Sequence, residues 1–146
     1  MSAPEPVRVS VWGELRGERK APGVLRVLVA DGHQLAEPGL IAAAWRMPED
    51  RGPDSLEAHL RGLLDEFGLW GYHAGNPVMD RRGWPDWAII GPRGMLFREL
   101  KTERGRLTPA QWSVGGQLIR AGQDWAVWRP RDLFSGVIRQ QLEAIA

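Results

Sequence analysis

Apolar positions in the second half of the chain recur at spacings that separate helices from strands. Leu56, Leu60, Leu63, Leu64 and Phe67 fall on one face of a helix. Asp54 or Ser55 can cap its start, and Gly68 marks its end. Leu69–His73 predicts a short strand and Asp86–Ile90 a buried one. Gly91-Pro92-Arg93-Gly94 is a turn signal that leads into a further strand over Met95–Lys101, and so short a link makes the two strands antiparallel neighbours. Thr108-Pro109-Ala110-Gln111 opens a helix, with Thr as N-cap, Pro at the first position and Gln as the third residue of a capping box. That helix carries Trp112, Val114, Leu118 and Ile119, and Gly122 stops it. Gly115 and Gly116 sit inside it at a cost of roughly 1 kcal/mol each relative to alanine, which close packing on the sheet would explain. Asp124–Arg129 predicts another strand, and Leu133, Val137, Ile138 and Leu142 a closing helix. Residues 55–146 therefore predict the order α-β-β-β-α-β-α, a mixed sheet flanked by helices in the α/β class.

The N-terminal part is less regular. Val7–Trp12 alternates like a half-buried strand, and Val24–Ala30 is a denser apolar run that ends at the Asp31-Gly32 turn signal. The two predict a hairpin. Gly39–Trp45 fits a short helix or strand, and residues 47–54, rich in Pro, Gly and charge, a linker or long loop. We expect residues 1–54 to form an N-terminal extension without chemistry of its own.

Composition narrows the chemistry. The chain has 146 residues and no cysteine, which excludes disulfides, zinc–thiolate centres and thiol catalysis. It starts without the basic-then-apolar pattern of a signal peptide, and its longest apolar run is too short to span a bilayer, so a cytoplasmic location is expected. Residues 1–80 hold 8 Lys/Arg against 12 Asp/Glu, whereas residues 81–146 hold 11 against 6. The basic half suits a polyanionic partner.

The candidate chemistry lies in that basic half. Residues i and i+2 of a strand share a face, so Glu99 and Lys101 point the same way, and Asp86 at the start of the neighbouring strand can reach the same place. Two adjacent carboxylates repel each other unless a cation lies between them. Magnesium (or manganese) suits such a pair because it takes hard oxygen ligands together with substrate phosphate oxygens. Lys101 can then position or activate a water and offset charge at phosphorus. Glu57, in the first turn of its helix, is either an acid favoured there by the helix dipole or a third acidic group at the metal. His73 has no second ligand at zinc spacing, so it is a structural hydrogen-bonded residue or a phosphate or proton-transfer contact. Arg81, Arg82, Arg104 and Arg106 flank the site and are candidates for contacts to a nucleic-acid backbone.

Tyr72-His73, Arg82-Gly83-Trp84-Pro85-Asp86, Arg98-Glu99-Leu100-Lys101-Thr102-Glu103 and Gly105-Arg106-Leu107-Thr108-Pro109-Ala110-Gln111 occur in that order, followed by Leu118, Ala121-Gly122 and Trp128-Arg129-Pro130. In order and spacing these pieces resemble the VRR-NUC family of the PD-(D/E)XK nuclease superfamily. The resemblance covers about half the chain, residues 57–132. It implies a restriction-endonuclease-like core and divalent-metal-dependent phosphodiester hydrolysis. By match it implies Asp86, Glu99 and the Leu100 carbonyl as metal ligands, Lys101 as the catalytic lysine, Gln111 beside the site, and Glu57 as the first-helix acid. It further implies a small stand-alone enzyme of phage or mobile-element type, working as a homodimer on branched DNA such as a four-way junction. Two competing readings are a DNA-binding module of the same fold without catalysis, and a protein-binding scaffold that uses some of the eight tryptophans.

Overall fold

A computed structural model describes residues 38–75 and 81–146. The predicted N-terminal hairpin lies outside them. Within the described residues five helices and four strands alternate as α1 (Pro38–Arg46), α2 (Leu56–Phe67), β1 (Trp70–His73), β2 (Trp87–Gly91), β3 (Gly94–Leu100), α3 (Pro109–Arg120), β4 (Trp125–Trp128), α4 (Pro130–Phe134) and α5 (Val137–Ile145). The strands form one mixed sheet in the order β1-β2-β3-β4. The first two joints are antiparallel, and β3–β4 is parallel with α3 as the crossover.

Local sequence sets the element ends. Ser55, not Asp54, caps α2, its side chain accepting the Ala58 N–H. Thr108 caps α3 in a complete capping box with Gln111, and Pro109 occupies the first turn. The β2–β3 turn closes on the Gly91–Gly94 pair. The expected single closing helix is two helices. Gly136 adopts φ 83°, a left-handed value that ends the α4 segment and starts α5 in a new direction.

The register assigns each strand residue to a face. One face carries Trp87, Ile89, Leu96, Leu100 and Trp128, buried under α2 and α5 through Leu56, Leu60, Leu64, Ile138 and Leu142. The other carries Ala88, Phe97, Trp125 and Val127, covered by Leu107 and by Trp112, Leu118 and Ile119 of α3. Here Gly115 has a reason: a Cβ on it would lie 2.5 Å from the Trp125 ring, so only glycine lets α3 approach this closely. Gly116 has no such contact, its nearest neighbour being the flexible Arg120 guanidinium at 3.4 Å.

The segment expected to link α1 and α2 is built onto the body. Met47 packs against the α2–α5 core, Ala44 of α1 is buried, and α1 lies against α4. The Pro48 and Glu49 carbonyls accept the Leu56 and Glu57 N–H groups at 2.9 Å each, satisfying donors that the first turn of a helix leaves open. No helix among the described residues is long and apolar enough to cross a membrane.

Candidate active site

Asp86 immediately precedes β2, and Glu99 is the penultimate residue of β3. Since Trp87 pairs with Arg98, Asp86 stands opposite Glu99 on the face that α3 covers. Asp86 Oδ2 accepts the Leu100 N–H at 2.8 Å, which fastens the end of the 81–86 loop to the end of β3. Glu99 is 1% exposed. Its Oε1 accepts the Gln111 Nε2–H at 2.7 Å, while Gln111 Oε1 accepts the Thr108 N–H at 2.9 Å. One side chain thus closes the cap of α3 and holds the carboxylate. Glu99 Oε2 is buried with no hydrogen-bond donor. Burial pushes the Glu99 carboxyl well above the ordinary carboxylate range, and the neighbouring Asp86 carboxylate adds to the shift, while Lys101 opposes it.

Lys101 lies one residue past β3 on the same face, half-buried. Its aliphatic stem crosses Gly105, where a Cβ would sit 3.2 Å from the Lys101 Cδ. The loop that follows is held from behind. Arg129 Nη1 donates to the Thr102 and Gly105 carbonyls at 2.6 and 2.8 Å, and the Arg131 N–H and Nε–H donate to the two carboxylate oxygens of the buried Glu103 at 2.7 and 2.6 Å. With the loop fixed in this way, Arg104 and Arg106 are exposed. The Arg104 guanidinium lies over the Trp45 ring, 4.8 Å from its centroid.

The structure adds a residue that the sequence reading missed. Glu49, in the supposed linker, is half-buried. Burial raises its pKa most, the Lys101 charge lowers it, and Asp86 raises it. Glu49 also acts on Glu99. A lone acid in a Pro/Gly-rich stretch carries no periodic signal; only the hydrogen bonds of Pro48 and Glu49 to the start of α2 bring it here.

Glu57 is placed differently from the expected third acid. Its Oε1 accepts from Arg61 Nη2 at 2.8 Å and lies 3.4 Å from His73 Nε2. His73 pairs with Trp87 across the strands, and their ring centroids are 4.9 Å apart, which puts Glu57 and His73 on the opposite sheet face from Glu99. Among the described residues no three or more His, Asp or Glu side chains are grouped to hold a metal ion. The donors brought together are Asp86 and Glu99, with Glu49 within electrostatic reach. Arg81 and Arg82 are exposed in the loop that leads to Asp86. Trp84 is 39% exposed.

No protein-family model, no curated protein and no solved structure matches the chain.

Proposed function

We propose that this chain is a divalent-metal-dependent nuclease with Asp86, Glu99 and Lys101 as its working groups. The observation that carries the reading is the buried, donorless Glu99 Oε2 beside the Asp86 carboxylate, on the sheet face that also presents Lys101. Two neighbouring carboxylates, one buried and short of a donor and the other half-buried, are stabilised by a proton or a cation held between them. The donor set is all oxygen, which fits magnesium or manganese better than zinc. Asp86, Glu99 and the Leu100 carbonyl would hold the ion. When bound there it would grip a phosphate oxygen, acidify a water and stabilise the leaving oxygen.

The chain's own residues supply the rest. Gln111 keeps Glu99 in one rotamer, and the Leu100 N–H does the same for Asp86. Lys101, its stem laid across Gly105, presents an ammonium to the scissile phosphate and its attacking water. Arg81, Arg82, Arg104 and Arg106 ring the site with exposed cations for the flanking backbone. Glu49, within electrostatic reach of Lys101, Asp86 and Glu99, adds to the acidic side of the site. The motif order that resembles VRR-NUC nucleases supports the same chemistry, together with a restriction-endonuclease-like core, action as a homodimer and a preference for branched DNA.

The test is cleavage of a panel of linear duplex, single strand, flap and four-way junction, with and without magnesium, by wild type, Glu99→Ala and Lys101→Ala. Magnesium-dependent cutting by wild type alone is expected, with Lys101→Ala still binding DNA. A folded wild type that binds the panel and cuts none of it would return the chain to the class of non-catalytic DNA-binding modules.

A further inference from the structure

We infer, building on the nuclease reading, that Trp84 is a stacking platform for an unpaired base next to the scissile phosphate. The site would then favour DNA with a splayed or single-stranded stretch over continuous duplex. Trp84 meets Phe97 edge-on, ring centroids 5.8 Å apart and planes at 84°. Phe97 and Glu99 are i and i+2 on β3, so the ring that Trp84 packs against lies about 7 Å along the strand from Glu99. Its loop is pinned there. Gly83 adopts φ 88°, and a Cβ on it would lie 2.4 Å from the Ala110 carbonyl oxygen, so the chain runs hard against the first turn of the helix that holds Glu99.

The aromatic residues here are unevenly covered. Phe97 is buried, but Tyr72, in the same cross-strand row through Ala88, is 47% exposed, and Trp84 is 39% exposed. Arg81 and Arg82 are exposed just before Trp84. An open aromatic face beside arginine forks is the combination that holds single-stranded nucleic acid, since bases stack on rings while phosphates meet cations. In a continuous duplex the bases are stacked on one another and present no face to Trp84. A second copy of this chain suits the patch less well. A two-fold contact centred on Trp84 would bring the Arg81-Arg82 pairs of the two copies together, like charge on like charge.

The experiment compares wild type, Trp84→Leu and Trp84→Phe on a forked duplex and on a continuous duplex of the same sequence with magnesium. It also follows the fluorescence of 2-aminopurine placed in the unpaired arm without magnesium. Wild type should prefer the fork and quench the probe. Trp84→Leu should lose about tenfold of that preference, the scale of one base–aromatic stack, and leave the probe bright, whereas Trp84→Phe should restore both. Equal losses on fork and duplex, an unquenched probe with wild type, or a Trp84→Leu protein that sediments as a smaller assembly would each overturn the inference. Quenching and cleavage fail separately: a wild type that quenches but cuts nothing removes the nuclease reading and keeps the platform.

Discussion

Gln111 Nε2 donates to Glu99 Oε1 at 2.7 Å while the same amide's oxygen caps α3 on the Thr108 N–H, so helix initiation and carboxylate placement share one side chain. The two roles can be separated. Gln111→Glu retains an acceptor for the capping box but sets a carboxylate against the buried Glu99. Gln111→Ala removes both contacts. Cleavage is expected to fall at least tenfold in both variants. In thermal melts at neutral pH, Gln111→Ala should lose about 1–3 kcal/mol, the cost of leaving a buried hydrogen-bonding group unsatisfied. If both variants cut like wild type, Gln111 is only a cap.

Metal binding at Glu99 would be linked to stability. The folded pKa of Glu99 lies above the ordinary 4.5, raised by burial and then by Asp86. A raised carboxyl favours the fold below the unfolded pKa, and that contribution is lost as pH rises through the folded value. Without divalent ions the wild type should therefore lose stability as pH rises above about 4.5, whereas Glu99→Gln should show a flatter profile. Magnesium or manganese at pH 8 should raise the wild-type melting temperature, as any ligand of the native state does, and should leave Glu99→Gln unmoved. Equal metal shifts in the two proteins would place the ion elsewhere.

Glu49 and Glu57 compete for the part of third acid, and the fold separates them. Glu49 is within electrostatic reach of Lys101, Asp86 and Glu99, whereas Glu57 is engaged with Arg61 and His73 on the other face. Glu49→Gln is expected to raise the magnesium concentration needed for half-maximal cleavage by about tenfold, the lower end of the range for an outer-shell partner of a metal. Glu57→Gln should leave it unchanged. A magnesium titration of both variants decides, and the reverse result would restore the helix acid to the site.

The order of elements from α2 to β4 was legible because each carries its own local signal. Strand alternation, a two-residue turn and the Thr108–Gln111 box act over a few residues and are not overruled by packing. The Asp86–Glu99–Lys101 face followed from strand periodicity alone. What the sequence hid depends on contacts between distant residues. Glu49 reaches the site only through backbone bonds to α2. Trp84 sits beside the apolar β2 run, yet it is 39% exposed. The closing helix reads as one apolar face until Gly136 turns it.

Gly115 and Gly116 are adjacent, share a helix and should respond with opposite sign. At Gly115 a Cβ would meet the buried Trp125 ring at 2.5 Å, so Gly115→Ala must displace α3 and should cost about 1–3 kcal/mol. At Gly116 the nearest atom is the movable Arg120 guanidinium, so Gly116→Ala should gain about 0.5–1 kcal/mol through helix propensity. Urea melts check both. Because α3 carries Gln111, Gly115→Ala should also lower cleavage, and full activity in a destabilised Gly115→Ala protein would show that the position of α3 is not critical to Glu99.

Arg81 and Arg82 are exposed on the loop that ends at Asp86, and Arg104 and Arg106 on the loop that begins after Lys101, so a phosphate chain crossing the site would run between two cationic loops. Each neutralised phosphate releases condensed counterions, which makes the logarithm of the binding constant fall with the logarithm of salt by about 0.7–0.9 per contact. Arg81→Ala combined with Arg82→Ala should therefore flatten the salt dependence of DNA binding by between one and two units. The loss of affinity should be similar across sequences, because phosphates carry no sequence information. The first-loop pair precedes Trp84 and the second pair follows Lys101, so losing the first should weaken forked DNA more than duplex, while Arg104→Ala with Arg106→Ala should weaken both alike. An unchanged slope in the Arg81/Arg82 double variant would mean that DNA approaches from the Arg104 side alone.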